Sequence, residues 1–250
     1  MKDPELLVFP IFGVSGMIAV TVIPMLTADV EEGTTIFLMV LGLVFASTSI
    51  EVLFAAALMG AVLQRLSGGD PGIRSGLRAA LSRAWPLLRW TVVVTAVRFS
   101  LLIGRRRSGR GVAAAADAAW QYGSFFVIPG IMSSRASGPV EALEDSVWLI
   151  KRTWGERAAA TFDFGTIYFI AILLALMGSA IFMMLVFPFS IRGAFAVPVA
   201  FVAVAFGYVS AMEAVFKAAL FRYATGDNAA GLTDGFDPVD FRFAYRPVES

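Results

Sequence analysis

The chain contains neither cysteine nor histidine, and only 16% of its 250 residues are charged. Without these two residue types, thiolate zinc sites, histidine-ligated haem and Ser-His or Cys-His catalysis are excluded. Disulfide bonds are excluded for the same reason. The net charge of +1 provides no extended basic field, so we expect no nucleic-acid partner.

The shortage of charge is matched by an excess of apolar residues. Hydrophobic residues make up 58% of the chain, and its mean hydropathy is +0.77. Soluble domains are about one-quarter charged because their surfaces must be solvated. This composition therefore predicts an all-α, polytopic membrane protein whose surplus apolar surface faces the lipid bilayer.

Six stretches are long and apolar enough to cross a hydrocarbon core of about 30 Å, which requires about 20 helical residues. They are residues 6–27, 34–64, 86–103, 112–129, 160–187 and 193–220. We predict that residues 1–224 form a single transmembrane helical domain. Residues 225–250 are polar and rich in aspartate, which indicates a cytoplasmic tail.

Two segments between the predicted spans show the period of amphipathic helices, which suits the membrane interface or a neighbouring helix. Their apolar stripes are Ile73, Leu77, Leu81 and Trp85, and then Val140, Leu143, Val147, Ile150 and Trp154. Each segment opens at a proline, Pro71 or Pro139, and closes near a tryptophan. This recurrence predicts a parallel internal repeat of one amphipathic helix followed by two spans.

The distribution of Lys and Arg predicts the orientation in a cytoplasmic membrane. The basic residues of the two loops that contain the amphipathic helices are Arg65, Arg74, Arg78 and Arg83, and then Arg135, Lys151, Arg152 and Arg157. Both loops, and hence both termini, are expected in the cytoplasm. The loop Arg105–Arg110 would then lie outside. Either this loop is an exception to the rule, or the third and fourth spans form a hairpin that does not cross fully.

Glu51 is the most central charge in the predicted spans. A charged side chain at a helix centre costs about 2.5–3.5 kcal/mol on insertion scales, so such a residue is a functional candidate. Ser47 and Thr48 precede Glu51 by four and three positions and share its helix face. These residues predict the wall of a polar cavity or a proton or cation relay. The alternative is a neutral carboxyl, or one carried out of the core by the length of its helix.

Four further charges lie in the later spans. Arg98 and Asp117 are expected to form an ion pair between the third and fourth spans. The alternative is that the side chain of Arg98 extends to the membrane interface. Glu213 and Lys217 stand at i,i+4 on the sixth span, the favourable order for a helical ion pair. None of these residues belongs to a recognisable catalytic, cofactor or metal motif.

Several stretches together resemble an uncharacterised family of prokaryotic multi-pass membrane proteins, one of the groups of unknown function. They are residues 2–10, 68–71, 125–129, 151–156 and 218–226, which read KDPELLVFP, GGDP, FFVIP, KRTWGE and AALFRYATG. Members usually carry an amphipathic segment before the first stretch and an acidic residue soon after the proline at 129, and both are absent here. The resemblance implies a protein of the prokaryotic cytoplasmic membrane and supplies no activity.

Three functional hypotheses follow. The first is a non-enzymatic membrane scaffold or accessory protein that binds lipid, including anionic lipid, and associates with itself or with a membrane partner. The second is a small transporter or channel with a polar path around Glu51. The third is an intramembrane enzyme, which would need Glu51 and Glu213 as paired carboxylates within hydrogen-bond or single-water reach. None of them calls for a cofactor.

Overall fold

The computed structural model describes residues 7–27, 33–107, 109–154, 164–186 and 191–226. Every regular element in these ranges is a helix, which confirms the predicted all-α class. The helices are α1 (Val8–Thr27), α2 (Gly33–Leu66), α3 (Ile73–Ser82), α4 (Ala84–Arg107), α5 (Gly109–Ser124), α6 (Val127–Met132), α7 (Pro139–Trp154), α8 (Phe164–Val186) and α9 (Ile191–Thr225). Most of the predicted polar tail lies outside the described residues.

Three helices in the described ranges are long and apolar enough to cross a membrane: Thr34–Leu66, Phe164–Val186 and Val197–Thr225. A shorter apolar helix, Val8–Thr21, lies within α1. The outer surface of α8 exposes large side chains such as Phe169 and Met184. Leaving such a side chain in water rather than in an apolar medium costs about 1.5–3 kcal/mol. The protein is therefore a membrane protein.

The other predicted spans correspond to described helices with different boundaries. Residues 6–27 and 86–103 correspond to α1 and α4. Residues 112–129 are divided between α5 and α6, because the chain turns at Phe125 and Phe126. The six-span topology and the internal repeat stay predictions.

The hydrophobic core surrounds the second half of α2. This helix contacts α1, α3, α4, α6 and α9. Its first turns, residues 34–38, are exposed, whereas Ala56, Ala57 and Ala61 are fully buried. Small side chains allow neighbouring helices to approach closely, the usual basis of helix association in membranes. The core is therefore densest at the end of the molecule where α2 finishes.

Helix α3 docks on α2 through its smallest residues. A Cβ atom added to Gly76 would lie 2.8 Å from the carbonyl oxygen of Ala57 and 2.7 Å from Cζ of Phe9. A Cβ atom added to Gly60 would lie 3.1 Å from Cβ of Ala79. Gly76 and Ala80 form the buried face of α3, whereas Ile73 and Leu81 of the predicted apolar stripe are exposed and Leu77 is half-buried.

The face of α7 that contacts the protein carries Ala142, Ser146, Leu149 and Ile150, all of them buried. Of the predicted stripe, Ile150 is buried and Val140 is exposed. The hydroxyl of Ser146 accepts a hydrogen bond from the backbone N–H of Phe126 at 3.0 Å. This N–H precedes the first turn of α6 and would otherwise lack a helical partner, so Ser146 holds the break between α5 and α6.

A local cap starts α7 at Pro139. Glu141 accepts hydrogen bonds from the backbone N–H and the hydroxyl of Ser137, at 2.8 and 2.5 Å. These two bonds favour the charged carboxylate and lower the pKa of Glu141 below its ordinary value. Glu141 also lies in the first turn of α7, where a negative charge complements the helix dipole.

Candidate functional site

Arg98 joins α4 to α2. Its guanidinium binds both carboxylate oxygens of Glu51: Nη1 lies 2.8 Å from Oε2, and Nη2 donates to Oε1 at 2.9 Å. Nη1 also donates to the hydroxyl of Thr48 at 3.1 Å. A guanidinium matches a carboxylate in this forked geometry. Thr48 and Glu51 stand one turn apart on α2, so both reach the same cation.

A second charged group joins α8 to α9. Lys217 Nζ lies 2.6 Å from Glu213 Oε1, and the hydroxyl of Tyr168 donates to Glu213 Oε2 at 2.9 Å. The same hydroxyl lies 2.9 Å from Oγ of Ser210. Lys217 Nζ is also 5.1 Å from the ring centroid of Phe125, within the range of a cation–π interaction. Glu213 is therefore held at both oxygens.

Both charged groups line one cavity of about 440 Å³. Its polar lining consists of Glu51, Arg98, Ser124, Tyr168, Ser210, Glu213 and Lys217. Its apolar lining includes Pro10, Val14, Met17, Phe54, Leu58, Ile128 and Phe206. The cavity wall is therefore amphipathic, and its two acids are balanced by two bases.

The two acids of the cavity lie near the middle of two long candidate spans, Thr34–Leu66 and Val197–Thr225. At 1.5 Å per residue, Glu51 is about 25 Å along α2 from Thr34, and Glu213 is about 24 Å along α9 from Val197. Tyr168 is only about 6 Å from Phe164 at the start of α8. A hydrocarbon core of about 30 Å that begins at Thr34 and Val197 would end close to this level. Glu51 is central in the candidate span Thr34–Leu66, and a hydrocarbon core that begins at Thr34 would bring it close to the membrane surface because the span is longer than the core.

The remaining candidate residues lie outside the cavity. Ser47 donates to the carbonyl of Val44 within its own helix, at 3.0 Å, and does not line the cavity. Asp117 is half-buried on α5. From the sequence, Arg98 was expected either to pair with Asp117 or to extend to the membrane interface. In the structure, Arg98 contacts Glu51 and Thr48.

The sequence analysis missed the hydroxyl groups of the site. Tyr168, Ser210 and Ser124 belong to its polar lining, and none of them carries a charge that would mark it in an apolar span. Ser210 could have been identified from the sequence, because it precedes Glu213 by three positions and so shares its helix face.

Glu51 and Glu213 line the same cavity, and each is paired with a base. Within the described ranges, no three Asp or Glu residues converge as metal ligands would.

Residues 33–232 match the model of a protein family described as a family of unknown function (DUF6159). The chain belongs to this family. The match covers α2 to α9 of this DUF6159 protein, and therefore every charged residue of the cavity, whereas α1 precedes it. The resemblance to an uncharacterised family is thus confirmed. Comparisons with curated proteins and with solved structures find no match.

Proposed function

We propose that this DUF6159 protein is a non-enzymatic membrane component that binds an amphiphile, a lipid with a charged headgroup, in the cavity. One observation carries the proposal: two ion pairs and an apolar wall face the same cavity. An amphiphile in this cavity places its headgroup among the charges and its chain against the apolar lining.

The ion pairs retain donors for a ligand. The side chains of Glu51 and Arg98 are 42% and 44% exposed, although both belong to helices of a membrane protein. Arg has five N–H donors and Lys has three, so the contacts that Arg98 and Lys217 make within the described residues leave some of their N–H groups unused. Unused donors in an apolar environment are costly. The phosphate of a lipid headgroup would satisfy them.

Lipid retention tests this proposal. We expect Lys217→Gln to reduce the lipid occupancy of the detergent-extracted protein at least about fivefold in native mass spectrometry, because it removes a cation of the cavity wall. Lys151→Gln is the matched control, since Lys151 is exposed on α7 and lies outside the cavity. A folded Lys217→Gln protein with unchanged lipid occupancy would reject the proposal.

A small transporter or channel is the second candidate function. It is favoured by the convergence of charged or polar groups from α2, α4, α8 and α9 on one cavity. In that case Glu51→Gln would keep the protein folded and abolish flux, because the amide cannot exchange a proton or balance a cation. Proton uptake by proteoliposomes under an imposed gradient measures this, and unchanged uptake would exclude the polar path through Glu51.

The wider setting is also part of the proposal. We place the protein in the cytoplasmic membrane of a prokaryote, with six spans and both termini in the cytoplasm, because of the distribution of Lys and Arg. The scaffold role and self-association are supported by the apolar outward face of α8, a helix whose main contact is with α9. Native mass spectrometry reports the subunit number in the same experiment as the retained lipid.

A further inference from the structure

The outward face of α3 combines large apolar side chains with exposed arginines. Ile73 and Leu81 are exposed, and Trp85, just beyond α3, is 68% exposed. Arg74 and Arg78 on the same helix are also exposed. Gly76 fixes the rotation of α3 by its close contact with the backbone of α2, and this packing leaves Ile73 and Leu81 exposed. Contact with an apolar partner outside the described residues would therefore stabilise these exposed apolar side chains.

The electrostatics of this region favour an anionic partner. Residues 71–116 contain nine arginines and no aspartate or glutamate. Arg98 is neutralised by Glu51, and Arg83 donates to the hydroxyl of Ser134. In the described part of the chain, Arg74 and Arg78 have no carboxylate within ion-pair distance. Among the described residues, their positive charge therefore has no counterpart.

A second set of exposed apolar residues follows at the start of α4. Leu88 and Val92 follow Trp85 by three and seven positions, so the three residues share one helix face, and all three are exposed. An apolar face flanked by arginines is the pattern of a helix that lies in the plane of the membrane interface. Tryptophan prefers the headgroup level of a bilayer, which is where Trp85 would lie.

We propose that α3 is a docking site for a leaflet of anionic phospholipid. Ile73, Leu81 and Trp85 enter the boundary between headgroups and acyl chains, while Arg74 and Arg78 bind the anionic headgroups. Attraction to an anionic surface is about 1 kcal/mol per arginine near it, so the arginine pair selects the lipid class. This surface is separate from the cavity, and the proposal does not depend on what the cavity binds.

Lipid-dependent quenching of Trp85 tests the docking site. The full-length protein is reconstituted into vesicles that contain bromine-labelled phosphatidylglycerol or bromine-labelled phosphatidylcholine. The fluorescence lost in Trp85→Phe isolates the signal of Trp85 from that of the other four tryptophans. We expect phosphatidylglycerol to quench this signal at least about twofold more strongly than phosphatidylcholine, because Arg74 and Arg78 concentrate anionic lipid beside the ring.

The charge variants decide whether α3 provides this selectivity. We expect the double substitution Arg74→Gln and Arg78→Gln to equalise the quenching by the two lipids. Lys151→Gln with Arg152→Gln removes the same charge from exposed positions of α7 and is expected to keep the preference. Equal quenching in the unmodified protein would overturn the proposal, and so would loss of the preference in the α7 control. A Trp85 signal quenched by neither lipid would show that protein or water covers this face.

Discussion

Replacing Gly76 with leucine is expected to destabilise the protein by at least about 2–3 kcal/mol, at the upper end of the usual cost of overpacking. Even the first carbon of a side chain at Gly76 would lie 2.8 Å from the backbone oxygen of Ala57. Backbone cannot move aside as the end of a flexible side chain can. Helix α3 would therefore separate from α2, and the core around Ala57 and Ala61 would open.

A pair of alanine substitutions separates this steric effect from helix propensity. A Cβ atom on Gly42, also within a helix, would meet nothing within 4 Å, so Gly42→Ala should stabilise the protein by about 0.5–1 kcal/mol. Gly76→Ala gains the same propensity and should nevertheless destabilise it. Thermal unfolding of both variants in one detergent gives the comparison. Equal shifts of the melting temperature would mean that α3 does not pack against α2 as described.

Loss of the Arg98 guanidinium is expected to destabilise the protein because it leaves Glu51 and Thr48 without their partner. A polar group that loses its partner in a buried setting costs about 1–3 kcal/mol. The Glu51–Arg98 pair is almost half exposed, so solvent screening places the expected cost of Arg98→Leu near the lower value. If Glu51→Leu is combined with Arg98→Leu, much of this loss should be recovered, because no unpaired charge remains.

A double-mutant cycle in detergent measures this recovery as a coupling free energy between positions 51 and 98. We expect a coupling of about 0.5–3 kcal/mol, the range for residues in direct contact. Asp70→Ala serves as the control. Asp70 pairs with Arg65 but is 97% exposed, so its loss should change stability by less than about 0.5 kcal/mol. Additive effects at positions 51 and 98 would contradict the pairing of α2 with α4.

The extent to which the sequence predicts the site depends on the separation of the interacting residues. Glu213 and Lys217 are four positions apart on one helix, so helical geometry alone brings them together. Arg98 and Glu51 are 47 positions apart, and their contact depends on how α2 crosses α4. The period of a single helix carries no information about that crossing, so the sequence analysis considered Asp117 and the membrane interface for Arg98 but not Glu51.

The same distinction applies to α3. Its period predicts an amphipathic helix, and the structure contains one at Ile73–Ser82. The pattern of large apolar residues could not show which face docks, because close approach in a membrane depends on the smallest residues, here Gly76 and Ala80. Tyr168 was missed for a related reason. A hydroxyl group in an apolar span indicates a site only when its hydrogen-bond partner on another helix is known, here Glu213 on α9.

Photochemical labelling by a lipid tests the cavity proposal most directly. A phospholipid with a diazirine in its acyl chain is incorporated with the protein into vesicles and activated, and the labelled residues are identified by mass spectrometry. We predict labels on Val14, Met17 and Phe54, which line the cavity, and their loss in Lys217→Gln. Labels confined to outward residues of α8 such as Met184 would show that lipid only surrounds the protein and would contradict a lipid-binding cavity.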